Sequence, residues 1–144
     1  MSARRKGREL ALQVLYQLDM SGESSEQGLH AFADSFDVSP KAREFGWGLV
    51  RGVRECRGEI DAHVAAVSEH WKLDRLAQID ATVIRIAVYE LINGLPMEIA
   101  INEAVEVARR FGTTESAAFV NGVVDAVAKR LGLEAGRKPA PAEE

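Results

Sequence analysis

A chain of 144 residues, 47% hydrophobic and 28% charged, is sized for one well-filled core beneath an ordinary soluble surface. No apolar run approaches the roughly 18 residues that span a bilayer, and the N-terminus lacks the apolar stretch of a signal peptide, so a cytoplasmic protein without a membrane span is expected. The net charge of −4 is unevenly spread: Arg4, Arg5, Lys6 and Arg8 stand in the first eight residues with no acid among them, which leaves −8 for the rest. Positive charge is thus concentrated where it can meet a polyanion such as nucleic acid.

In chain order, Glu9 to Leu18 reads as an amphipathic helix with Leu10, Ala11, Val14, Leu15 and Leu18 on one arc. Arg5, Leu12 and Tyr16 fall together outside that arc. If this helix reaches back to Arg4, with Ser2 or Ala3 near its cap, the cations crowd the positive end of the helix dipole, at roughly 0.3 to 1 kcal/mol each when exposed. A phosphate backbone at that end would account for such a cost. The alternative is an arm that stays disordered until it binds.

Ser21-Gly22 ends the first helix, and a second is predicted over about 26–36 with Leu29, Phe32, Ala33 and Phe36 inward. Ser39-Pro40 supplies a cap followed by proline at the first helical position of a third helix, about 40–57. It sets Phe45, Leu49, Val53 and Cys56 on one side and Arg51, Arg54 and Arg57 on the other. Gly46, Gly48 and Gly52 interrupt it at roughly 1 kcal/mol each relative to alanine, and a close neighbouring helix beside Gly52 would explain the placement. The arginine row suits a second RNA contact or, more ordinarily, a solvated face.

A fourth helix, about 59–71, presents Ile60, Val64, Val67 and Trp71, and a short turn over 73–76 follows. Asp80 is a fair N-cap for a central helix to Ile92, in which Val83, Ile84, Ala87, Val88, Leu91 and Ile92 cover half the circumference. Asn93-Gly94 ends it. Pro96 leads into a helix over 99–111, closed by Gly112, and Thr113 or Thr114 can cap a last helix whose inner face is Phe119, Val120, Val123, Val124, Val127 and Leu131. About seven helices and no strand result: an all-α bundle over 9–133, preceded by a basic arm over 1–8. Residues 134–144 have too little apolar content to order themselves and are expected to form a loose tail.

Chemistry finds little purchase. Cys56 is alone, which excludes an intrachain disulfide, and His30, His63 and His70 do not pair at metal-ligand spacing. No Gly-rich phosphate loop, nucleophile elbow or marked acid pair is present. No metal, cofactor or catalytic residue is expected.

Three stretches together resemble the NusB family of bacterial transcription antitermination factors. They are Arg4-Arg5-Lys6-Gly7-Arg8 leading to Ala11-Leu12-Gln13-Val14-Leu15-Tyr16, then Ile84-Arg85-Ile86-Ala87-Val88-Tyr89-Glu90-Leu91, then Ile101-Asn102-Glu103-Ala104 running to Phe111-Gly112 and Phe119-Val120-Asn121-Gly122-Val123-Val124-Asp125. The last is the most specific, and the match runs in order along nearly the whole chain.

The resemblance implies two packed helical subdomains and a non-catalytic role. It implies binding to the boxA element of ribosomal RNA leader transcripts together with NusE, a small-subunit ribosomal protein, within an RNA polymerase antitermination complex. Residue by residue it makes Arg4, Arg5, Lys6 and Arg8 the RNA-binding arm and Tyr16 and Phe119 aromatic positions of the RNA and partner surface. Asp80 and Glu115 become acidic contacts for basic NusE. Each has a plainer use: Tyr16 as cover for a neighbouring helix, Phe119 as core, Asp80 as a cap, Glu115 as a favourable charge in a first turn. The family more often has alanine at position 7, and Gly7 favours a flexible arm. The resemblance permits a monomer or a homodimer.

Charge alone would bind RNA modestly: four phosphate contacts at about −0.7 each give a salt slope of about −2.8. Stacking a base on Tyr16 or Phe119 adds roughly 1 to 3 kcal/mol each. A second RNA-binding protein is therefore expected, and the acidic remainder suits a basic one. Two rival readings are a helical module of an RNA-modifying methyltransferase or ribosome-assembly complex, and a pure protein-interaction module.

Overall fold

The Ser2 hydroxyl accepts the backbone N–H of Arg5 at 3.1 Å and so starts the first helix ahead of every cation in the basic segment. The computed structural model describes residues 2–22, 24–68 and 77–133. Among them are seven helices and no strand: α1 (Ala3–Ser21), α2 (Glu26–Ala33), α3 (Pro40–Glu55), α4 (Arg57–Val67), α5 (Gln78–Ile92), α6 (Met97–Phe111) and α7 (Ser116–Arg130). The chain divides into two compact units, Met1–Glu55 and Cys56–Glu144. The tail over 134–144, Trp71, His70 and the turn over 73–76 lie outside the described residues.

In the first unit α1 packs chiefly on α3 and also on α2. With neighbours on two sides, it buries more than one arc: Leu12, outside the expected face, is as fully buried as Leu10 and Val14. The α1/α3 crossing is made by two glycines. A Cβ on Gly7 would stand 2.7 Å from the Ala42 carbonyl oxygen and 2.8 Å from Cδ2 of Phe45, and one on Gly46 would stand 2.5 Å from the Gly7 carbonyl oxygen. Gly7 therefore serves close packing inside a continuous helix, which corrects the expectation of a flexible arm. On α3 a close approach falls at Gly46, while Gly48 faces open space.

Helix α1 ends where Gly22 adopts φ 75°, a left-handed conformation that glycine enters without a Cβ penalty, and donates its N–H to Leu18 at 2.9 Å. Helix α2 stops at Ala33, short of Phe36, because the Ser35 hydroxyl takes the Phe32 carbonyl at 2.6 Å in a turn that competes with helix. Phe32 and Phe36 then meet edge to face, 5.2 Å between centroids. Ser39 caps α3 through the N–H of Ala42 at 3.2 Å, with Pro40 at its first position. Trp47, off the apolar side expected for α3, is buried and stacks on His30 at 3.7 Å.

In the second unit α5 is the centre, packed on α4, α6 and α7 and buried almost continuously from Ala81 to Leu91. Arg85 within that run donates from Nε to Asp61 Oδ1 at 2.9 Å, tying α5 to α4, and Arg57 lies 3.8 Å from the same carboxylate. Helix α4 starts at Arg57, earlier than expected, and ends where the Ser68 hydroxyl turns back to the Val64 carbonyl at 2.6 Å.

Three further boundaries differ from expectation. Asp80 is not the cap of α5: Ala77 holds that place, its carbonyl accepting from Ala81 at 3.0 Å, so Asp80 is the third helical residue. Pro96 is itself the N-cap residue of α6, which begins at Met97. Neither Thr113 nor Thr114 caps α7; the Ser116 hydroxyl reaches back to accept the Thr113 N–H at 2.9 Å, and Glu115 takes the N-cap position. The inner face of α7 is Val120, Val123, Val124 and Val127, with Phe119 and Leu131 half-buried.

Candidate nucleic-acid interface

Arg4, Arg5 and Lys6 occupy the first turn of α1, where there is no acidic residue. Three cations at the positive end of a helix dipole cost roughly 0.3 to 1 kcal/mol each when exposed. The structure accepts that cost with a side-chain cap at Ser2 and a glycine crossing beneath.

The four cations differ in environment. Arg4 is exposed, with its guanidinium carbon 5.8 Å from the centroid of the Phe45 ring. Arg8, one turn on, is only 5% exposed and lies 5.2 Å from the same centroid. Lys6 is half-buried and stands 4.0 Å from Glu9. Arg5 is half-buried on a different stripe. At 100° per residue Arg5, Leu12 and Tyr16 fall within about 40° of one another, and half-buried Tyr16 stands about 16 Å along the axis from Arg5. One helix thus carries cations at its start and an aromatic ring farther along.

The remaining site residues belong to the second unit. Phe119 is half-buried in the first turn of α7, its N–H donated to the Glu115 carbonyl at 3.1 Å. Glu115 is exposed and makes no side-chain capping bond, so its carboxylate is directed at nothing within its own helix start. Asp80 is half-buried with Oδ1 shielded from solvent and lacking a hydrogen-bond partner. An acceptor left so costs about 1 to 3 kcal/mol.

Two features had no clear sequence signal. Phe45 reads in the sequence as one more apolar residue on the inner side of α3, and only the crossing shows it beneath two arginines. A cleft of about 690 Å³ between the end of α6 and the start of α7 is lined by Asn102, Arg109, Thr113, Thr114 and Asn121, with Arg109 paired to Glu106 at 2.6 Å. Among the described residues no group of His, Cys, Asp or Glu could hold a metal ion, and no helix is long and apolar enough to cross a membrane.

Comparison with known proteins places this arrangement. Residues 5–129 match the NusB family. The transcription antitermination protein NusB of Anaeromyxobacter dehalogenans (strain 2CP-1 / ATCC BAA-258) is 44% identical over 132 residues, covering 90% of this chain and 93% of that one. Its counterpart in Geobacter sulfurreducens is 43% identical over 134 residues, covering 91% and 97%. A solved structure of T. maritima NusB superposes with a TM-score of 0.77 at 34% identity, covering 90% of this chain and 92% of that chain. A crystal structure of the antitermination factors NusB and NusE in complex with dsRNA has the same fold, with a TM-score of 0.76 at 24% identity. On the extent of these matches, and with a seven-helix fold that agrees, the chain belongs to the NusB family.

Proposed function

We propose that the protein is a transcription antitermination factor that binds boxA RNA of ribosomal RNA leader transcripts together with NusE, and promotes processive transcription of ribosomal RNA operons as part of an RNA polymerase complex. The observation that carries this is the cluster of Arg4, Arg5, Lys6 and Arg8 in the first two turns of α1, on a chain that is otherwise acidic and of NusB type. The related complex of NusB and NusE with dsRNA supports the choice of partners.

In this reading Arg4, Arg5 and Lys6 neutralise phosphates, Arg8 supports them from beneath, and Tyr16 and Phe119 offer rings to bases. Asp80 and Glu115 receive basic side chains of NusE. The protein acts in the cytoplasm, without catalysis of its own. Electrophoretic mobility shift of a boxA RNA, with and without NusE, tests the reading. Binding should be weak with the protein alone and tighter with NusE, and absence of any shift by the pair at low ionic strength would overturn it.

A further inference from the structure

We propose that Phe45 is a positioning residue for RNA binding, its ring holding Arg4 in the orientation in which the guanidinium meets phosphate. The inference rests on the reading that the cationic start of α1 binds RNA.

Arg4 and Arg8 are one turn apart on α1 and both lie over one ring, at 5.8 and 5.2 Å from its centroid. Two guanidinium groups so placed repel each other and the helix dipole. The negative π-face of the phenyl ring that both approach offsets this repulsion. An acid at position 45 would hold the arginines more firmly and cancel the charge that RNA reads, whereas a ring orients them without adding a countercharge.

The backbone is shaped for this seat. Cδ2 of Phe45 would stand 2.8 Å from a Cβ on Gly7, so the ring fits against α1 where position 7 has no side chain. Gly46, the next residue on α3, makes the same close approach from the other side. Arg8 is 5% exposed and works as the inner half of the stack, leaving exposed Arg4 as the half that can reach a ligand. Fixing Arg4 before binding removes part of the rotamer entropy that a free arginine loses on contact.

The test is a double-mutant cycle in the full-length protein, read as affinity for a single-stranded boxA RNA at low salt. Phe45→Leu, which keeps apolar bulk and removes the π-face, should weaken binding about 3- to 5-fold, and Phe45→Tyr should bind within about 2-fold of the parent. In an Arg4→Ala background Phe45→Leu should cost nothing further, because its effect runs through Arg4. Unchanged affinity in Phe45→Leu overturns the proposal and leaves the RNA reading standing if Arg4→Ala still weakens binding. An equal loss in both backgrounds also overturns it, because Phe45 then acts through general packing. Failure of the parent protein to bind both alone and with NusE overturns both.

Discussion

The two units carry charge in opposite styles. Residues 1–55 hold eight cations and eight acids, with half of the cations in the first eight positions, so this unit is neutral in sum and strongly basic at one helix end. The second unit carries the chain's acidic excess, and among its described residues the most buried cation, Arg85, is pinned by Asp61. A ligand meeting the first unit feels placement of charge; one meeting the second feels sign. That separation suits one partner that is a polyanion and another that is a basic protein.

The contrast can be broken most severely inside the second unit. Arg85→Ala removes a buried guanidinium with its bond to Asp61, and should cost about 3 kcal/mol of stability, visible as a lowered thermal midpoint. In the first unit, Arg4→Ala with Arg5→Ala and Lys6→Ala removes three of the proposed phosphate contacts. RNA affinity near 0.1 M salt should fall about 100-fold, roughly 2.7 kcal/mol, and the salt slope should flatten by about 2. Helicity by circular dichroism should persist in the triple variant, since none of the three side chains caps α1.

A sharper comparison is available on α3 alone. Gly46→Ala places a Cβ 2.5 Å from the Gly7 carbonyl oxygen and should destabilise by about 2 kcal/mol, despite the better helix propensity of alanine. Gly48→Ala meets nothing within 4 Å and should stabilise by about 0.5 to 1 kcal/mol. Chemical denaturation of the two variants side by side checks the opposite signs. The smallest effect is expected at Asp80→Asn, which should weaken binding to NusE about 3-fold and leave binding to RNA alone unchanged, as calorimetric titration with each partner would show.

Helical periodicity made α1, α3, α5 and α7 legible from their residues, because each has a buried arc that repeats with the turn of the helix. Ser39-Pro40 and Ser21-Gly22 carried local chemistry strong enough to mark their boundaries. Boundaries failed where a side chain bonded backward: Ser35 and Ser116 each satisfy a nearby main-chain group, and nothing in residue order distinguishes that from capping a helix ahead. The basic cluster was plain as charge, but its differentiation was not. Arg8 is buried and Arg4 exposed where α1 crosses α3 at Phe45, 37 positions beyond Arg8, and a crossing between distant segments leaves no local pattern.

The pairing of Gly7 with Gly46 makes tolerance at the two positions shared. A chain with alanine at position 7 and the rest of this contact unchanged must seat its first helix farther from the third, and the arginines travel with it. Enlarging either position therefore shifts the whole cationic turn, so the placement of positive charge on the surface is tuned from beneath by two residues that carry none.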